Sequence, residues 1–241
     1  MFPIKNTVPS RYPAVVTWLL IAVNCVCFFY EQSLSEGELN SLILSFALVP
    51  ARYTGAAGLT PADYLPFLTM MFLHAGWLHL ILNMWSLWLF GPTVEDRLGH
   101  WQYLAFYLAC GVIAGIAQLT SDPHSMVPAL GASGAIAGVM GCYVLLFPWA
   151  RIVVLVPILF LPLFFEVPSI VFIGLWFLAQ LFQGVTELFG PSVGGGVAVW
   201  AHVGGFLAGL GFAVLLTRPK PGYRPYYADE GILGFNPQGY R

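Results

Sequence analysis

Seven long stretches of this chain contain no Asp, Glu, Lys or Arg: residues 12–30, 64–94, 98–121, 123–150, 152–165, 167–186 and 188–217. A bilayer-spanning helix needs about 20 mostly apolar residues, and six of the seven reach or nearly reach that length. Only 8% of residues are charged, 59% are hydrophobic and the mean hydropathy is +0.79, which excludes a soluble globule. The net charge of −2 and the lack of any basic patch exclude nucleic acid as a partner; the partner is the lipid bilayer. Helices are predicted over 13–30, 76–91, 101–119, 132–148, 168–187 and 197–217. Residues 152–165, with Pro157 and Pro162, are too short to span and are read as a re-entrant or interfacial connector on the cytoplasmic side.

Orientation follows from Lys and Arg, which are retained on the cytoplasmic side. With the N-terminus inside, Lys5, Arg11, Arg97, Arg151, Arg218, Lys220, Arg224 and Arg241 are cytoplasmic and Arg52 alone is external. The expected fold class is an all-α polytopic membrane protein, a bundle of six transmembrane helices with both termini inside. Residues 1–12 form a cytoplasmic N-terminus, 13–217 the membrane domain, and 218–241 a disordered cytoplasmic tail rich in Pro, Gly and Tyr. The long external loop, 31–70, carries an apolar run, Leu42–Val49, suited to an amphipathic helix at the membrane surface. The first span is long for a signal-peptide core and no small-x-small cleavage site follows, so it is read as an anchor; no Arg/Ser-rich transit segment precedes it, so a prokaryotic plasma (inner) membrane is expected. Cys25, Cys27, Cys110 and Cys142 lie in apolar stretches without CxxC spacing and read as buried thiols.

Polar groups inside spanning segments are costly and therefore mark function. Three regions qualify: His74-Ala-Gly-Trp-Leu-His79-Leu-Ile-Leu-Asn83, in which His79 and Asn83 share a helix face; Gly131-Ala-Ser133-Gly134; and Ala201-His202-Val-Gly-Gly205. Helices 2, 4 and 6 all run from outside to inside, so His79, Asn83, Ser133 and His202, each within about 10 Å of a helix start, share one layer. Serine needs an adjacent base to act as a nucleophile, and Ser133 with His202 is the natural pair. Close approach of their helices is encoded by Gly134, Gly138 and Gly141 on one and Gly205 and Gly209 on the other. Asn83, His79 and the Ser133 backbone N–H at a helix N-terminus are candidate oxyanion donors.

These motifs together, HAGWLHLILN from His74, GASG around Ser133 and AHVGGFLAG from Ala201, resemble the rhomboid intramembrane serine proteases. GPTVEDRLG (Gly91–Gly99) resembles the Glu- and Arg-bearing segment after the second helix of bacterial members. The resemblance implies a Ser–His dyad with Ser133 as nucleophile and His202 as general base. It also implies His79 and Asn83 as oxyanion donors, His74 as a support at a polar, water-holding entrance, and Gly131, Gly134 and Gly205 as site-supporting positions. The implied substrates are single-span membrane proteins, cut near the outer end of a transmembrane helix after a small side chain, with the site opening externally. No cofactor or metal is implied. The 31–70 loop resembles the family's membrane-embedded first loop, and helix 5 the proposed substrate gate. One departure is Ala137, where some members carry an aromatic that stacks on the catalytic His.

Each residue also has a structural reading. Ser133 could be an N-cap, His202 a hydrogen-bonded packing residue, Asn83 interhelical glue, and Glu95 with Arg97 an interfacial pair. A zinc protease would need HExxH, which is absent, and an aspartyl protease two membrane Asp residues, whereas Asp96 and Asp122 fall at helix ends. A metal held by His74, His79 and His202 would leave Ser133 without a role. A transporter would show broken helices in paired repeats. The alternative within the resemblance is a non-catalytic relative that binds transmembrane helices. No Asp or Glu is expected near the polar layer, so no carboxylate assists the base. Turnover is accordingly expected to fall well below the upper range for enzymes, about 10³ per second; a rate comparable with efficient soluble serine proteases, measured on a membrane substrate, would refute an unassisted dyad.

Overall fold

The computed structural model describes residues 2–55, 59–158, 161–189 and 198–216. The expected tail, 218–241, lies outside the described residues. The described residues form six long helices: α1 (Val15–Ser33), then, after a shorter α2 (Glu36–Phe46) and a single turn α3 (Pro66–Thr69), α4 (Trp77–Leu98), α5 (His100–Ser121), α6 (Ser133–Leu146), α7 (Ser169–Phe189) and α8 (Val199–Leu216). By length and composition α1, α5, α7 and α8 can each cross a membrane, while α4 pairs with Pro61–Phe72 across an 82° bend. Large apolar side chains such as Val26, Leu78, Trp101, Leu175 and Phe182 are exposed on the bundle's outside, as lipid solvation permits. The protein is an integral membrane helical bundle.

Helix α6 is the hub. Almost every residue from Gly134 to Leu146 is buried, which fits a helix that is apolar all round. At 14 residues it is about 21 Å long, short of a hydrocarbon core of about 30 Å. Its closest partner is α8. A Cβ on Gly205 would run into the Gly134 carbonyl oxygen, one on Gly209 into the Gly138 carbonyl, and one on Gly141 into the Phe206 carbonyl. These contacts are backbone against backbone, so glycine is the only residue that fits.

Helix α4 continues to Leu98, past the predicted end at 91, despite Pro92 in its interior. It stops at Gly99, whose φ is +80°. The extension delivers two carboxylates to the start of α1, which has no side-chain cap of its own. Glu95 accepts the Val16 N–H at 2.8 Å, the Thr17 N–H at 2.7 Å and the Thr17 hydroxyl at 2.6 Å. Asp96 accepts the Arg11 and Tyr12 N–H groups at 3.1 and 2.8 Å. A carboxylate there satisfies orphan donors and sits at the positive end of the helix dipole. The Glu95 side chain is 1% exposed, with His100 Nδ1 at 2.6 Å. Glu95 thus works as the cap of α1. Gly91 lets α4 approach closely, since a Cβ there would meet Thr17 and Tyr103 at 2.8 Å.

Two segments differ from expectation. The expected re-entrant or interfacial connector, 152–165, is extended over its described residues: β2 (Arg151–Ile158) pairs antiparallel with β3 (Leu161–Pro168), and the N-terminal β1 (Phe2–Asn6) pairs antiparallel with β2. The period-2 signal was present, with Ile152 and Val154 buried and β-branched. Pro157 and Pro162 pair near the tip, where lost donors cost least. The 31–70 loop is ordered over its described part. Helix α2 opens with a capping box in which Ser35 and Glu38 bond reciprocally, which holds the Glu38 carboxyl below its ordinary range. The apolar run then divides: Ala47, Leu48 and Val49 are buried, and Leu48 bridges to Ala129, so the loop packs on the segment leading into α6.

The α6–α8 contact predicts a contrast between two glycines on one helix. Gly209→Ala should lower thermal stability in detergent by about 1–3 kcal/mol, because the methyl group meets the Gly138 backbone. Gly211→Ala, with nothing within 4 Å, should leave it unchanged or slightly raised.

Candidate active site

Ser133 is the first residue of α6, with Ala132 at the cap position. The approach to it is fixed by Gly131, whose φ of +120° lies in the left-handed region and whose N–H donates to the Met70 carbonyl at 2.8 Å. The adjacent Leu48–Ala129 bridge pins the same strand of chain. The Ser133 Oγ lies 2.7 Å from His202 Nε2. His202 stands on the first turn of α8, and the Gly205 contact with Gly134 brings that turn against the start of α6.

His79 and Asn83 lie one turn apart on α4 and face Gly131. A Cβ at Gly131 would fall 2.7 Å from His79 Nε2 and Cε1 and 3.6 Å from Asn83 Nδ2. His79 Nδ1 accepts the Ala75 N–H at 3.4 Å, so a neutral ring carries its proton on Nε2, the edge turned toward Gly131. The buried Asn83 Nδ2 has no protein acceptor among the described residues. Two side-chain donors therefore converge beside the residues leading into Ser133. Next to Ser133 a cavity of about 10 Å³, the space of one water, is lined by Met70, Ala129, Gly131 and Ala201.

His74 is not at an entrance. It is 3% exposed, packed edge-on against His79 with ring centroids 5.1 Å apart, and its N–H donates to the Glu31 carboxylate at 3.2–3.3 Å. Glu31 itself is 2% exposed. A carboxylate thus stands behind the polar layer, contrary to expectation, because α1 continues past residue 30 to Ser33. Both His74 ring nitrogens lack a protein partner among the described residues.

Two contributors on α7 were not anticipated. Gln180 Oε1 lies 2.6 Å from His202 Nδ1, and the Trp176 ring sits 6.0 Å from that imidazole at 40°. With Ala137 on α6, the aromatic beside His202 comes from a different helix and lies tilted to the imidazole rather than stacked on it. A usable signal was present: Trp176 and Gln180 are four residues apart, and an amide in an apolar span is as costly as a histidine. The Ala201 N–H at the start of α8 donates both to the Ala198 carbonyl at 3.1 Å and to Gln118 Oε1 at 3.3 Å. Among the described residues no group of three or more His, Cys, Asp and Glu is arranged to hold a metal.

A family model described as the rhomboid domain matches residues 61–219. Similar proteins include YdcA of Bacillus subtilis (strain 168), described as a candidate rhomboid protease, 36% identical over 132 residues that make up 55% of this chain and 61% of YdcA. The mitochondrial presenilin-associated rhomboid-like protein A of Danio rerio is 29% identical over 58% of this chain and 41% of its own length. RHOMBOID-like protein 5 of Arabidopsis thaliana is 32% identical over 68% of this chain and 48% of its own length. The chain thus spans about two fifths to three fifths of these curated relatives. With the domain match covering most of the chain and every long helix but the first, the chain belongs to the rhomboid family.

Proposed function

We propose that this protein is an intramembrane serine protease that hydrolyses a peptide bond near the outer end of a transmembrane segment of its substrates. The observation that carries the reading is the 2.7 Å approach of Ser133 Oγ to His202 Nε2 inside a membrane bundle. In this reading Ser133 Oγ attacks the scissile carbonyl carbon while its proton passes to His202 Nε2. The carbonyl oxygen, now negative, receives hydrogen bonds from His79 Nε2–H, Asn83 Nδ2–H and the Ser133 N–H, the last reinforced by the α6 dipole. His202 then returns the proton to the leaving amine as the C–N bond breaks. Water, deprotonated by the same imidazole, releases the acyl group and restores Ser133.

Several features support the reading. The side chains at the proposed oxyanion site donate where negative charge would develop, and Gly131, Gly134 and Gly205 supply close approach that any side chain would block. The small cavity beside Ser133 favours a small side chain before the cleaved bond. The membrane domain, 13–217, is assigned six spans with both termini inside, so the site opens externally. A prokaryotic plasma membrane is the proposed location, although relatives include mitochondrial proteins.

The test avoids the unidentified substrate. A fluorophosphonate probe should label the detergent-solubilised wild type, lose all labelling with Ser133→Ala, and label His202→Ala at least about 10²-fold more slowly. Unlabelled, folded wild type would instead favour a non-catalytic helix-binding relative. Gly131→Ala should cut the labelling rate at least about tenfold, because the methyl group displaces the His79 ring and its φ is unfavourable for alanine.

A further inference from the structure

His202 is held on both sides of its ring. Ser133 Oγ meets Nε2 at 2.7 Å, and Gln180 Oε1 meets Nδ1 at 2.6 Å. A neutral imidazole has one N–H, and it takes up a serine proton only through a nitrogen with a free lone pair. If Ser133 donates to Nε2, the ring proton must sit on Nδ1, and a half-buried Nδ1–H needs an acceptor. The Gln180 carbonyl oxygen is that acceptor. Without it the ring could place its proton on Nε2 and donate to Ser133, an arrangement that cannot activate the hydroxyl.

We infer that Gln180 is a positioning residue that holds His202 in the Nδ1–H tautomer, a neutral counterpart of the carboxylate in a serine triad. The inference rests on the reading of Ser133 and His202 as nucleophile and base. The amide orients the ring and lacks the charge that would stabilise the imidazolium. Through the reaction Nδ1–H stays bonded to Gln180 while Nε2 takes the Ser133 proton and later gives it to the leaving amine. Helix α7 aims Gln180 by its packing on α8: Phe177 stacks on Phe206 with centroids 4.2 Å apart at 19°, and Trp176 lies against both Phe206 and His202. Leu175, Leu178 and Phe182 face outward. The reacting pair on α6 and α8 is thereby tied to the seating of α7.

Two variants of the full chain test this: Gln180→Met, of similar length but without an acceptor, and Gln180→Glu, which keeps one. The ¹⁵N shifts of His202 report its tautomer whether or not the protein is active. Wild type should show the Nδ1–H form, and Gln180→Met should gain an Nε2–H population. The maximal fluorophosphonate inactivation rate should fall about tenfold in Gln180→Met with initial probe binding unchanged, and Gln180→Glu should restore it. A carboxylate at this position favours the protonated imidazole, so Gln180→Glu should also move the acid limb of the rate profile to higher pH. The groups facing His202 are Ser133 from α6 and Trp176 and Gln180 from α7, with His79 on α4 the nearby ionisable one; the glutamate shift is therefore read relative to wild type, which carries the same His79.

An Nε2–H tautomer in wild type would overturn the inference, and this holds even if Gln180→Met does not fold. A folded Gln180→Met with wild-type tautomer and rate would also overturn it, as would a change in probe binding alone or a Gln180→Glu as slow as Gln180→Met. If wild type is unlabelled yet its tautomer depends on Gln180, the protease reading fails and the positioning inference stands.

Discussion

The rest of the site depends on the backbone contact between α6 and α8. In lipid no hydrophobic force drives helices together, so packing and polar contacts do. Gly205 on the Gly134 carbonyl and Gly209 on the Gly138 carbonyl bring two helix axes close at the level of Ser133 and His202. Were either glycine replaced by a larger residue, the helices would part and a 2.7 Å hydrogen bond could not span the gap. The chemistry is therefore set by four residues that carry no chemistry.

The second constraint is that every polar group in the bundle must be answered from within. Glu95 answers the uncapped N-terminus of α1, and Gln180 answers His202 Nδ1. Among the described residues Asn83 Nδ2, beside Gly131, has no protein acceptor, and neither have the two His74 ring nitrogens, Asn24 Oδ1, Thr93 Oγ1 and the Tyr107 hydroxyl, elsewhere in the bundle, a protein partner. A buried donor without a partner is costly, and in the proposed reaction the Asn83 amide would find its acceptor in the developing oxyanion.

Much of this was legible in the chain. The apolar spans, Ser133, His202, His79 and Asn83 stood out because each is an isolated polar residue amid hydrocarbon-compatible neighbours, and the glycine spacings showed which faces would meet. The β2–β3 pairing was missed because a short apolar run bracketed by prolines reads equally as strand or connector. The end of α4 was misjudged because Gly91–Pro92 looks like a stop, whereas the helix gains more by carrying Glu95 to α1 than it loses at one missing N–H. Glu31 was assigned to the loop for want of three more helical residues, and so its place behind His74 was hidden.

By itself the sequence determined that the protein lives in a membrane, which polar residues are too costly to be accidental, and which helix faces can touch, because hydrophobicity and spacing are local properties of the chain. Tertiary structure alone decided that His202 is held at both ring nitrogens, that a glutamine and a tryptophan from α7 flank it, and that His74 is buried on Glu31. Those are relations between helices distant in sequence. Their geometry comes from how the helices rotate and settle against one another, which no spacing along a single helix records.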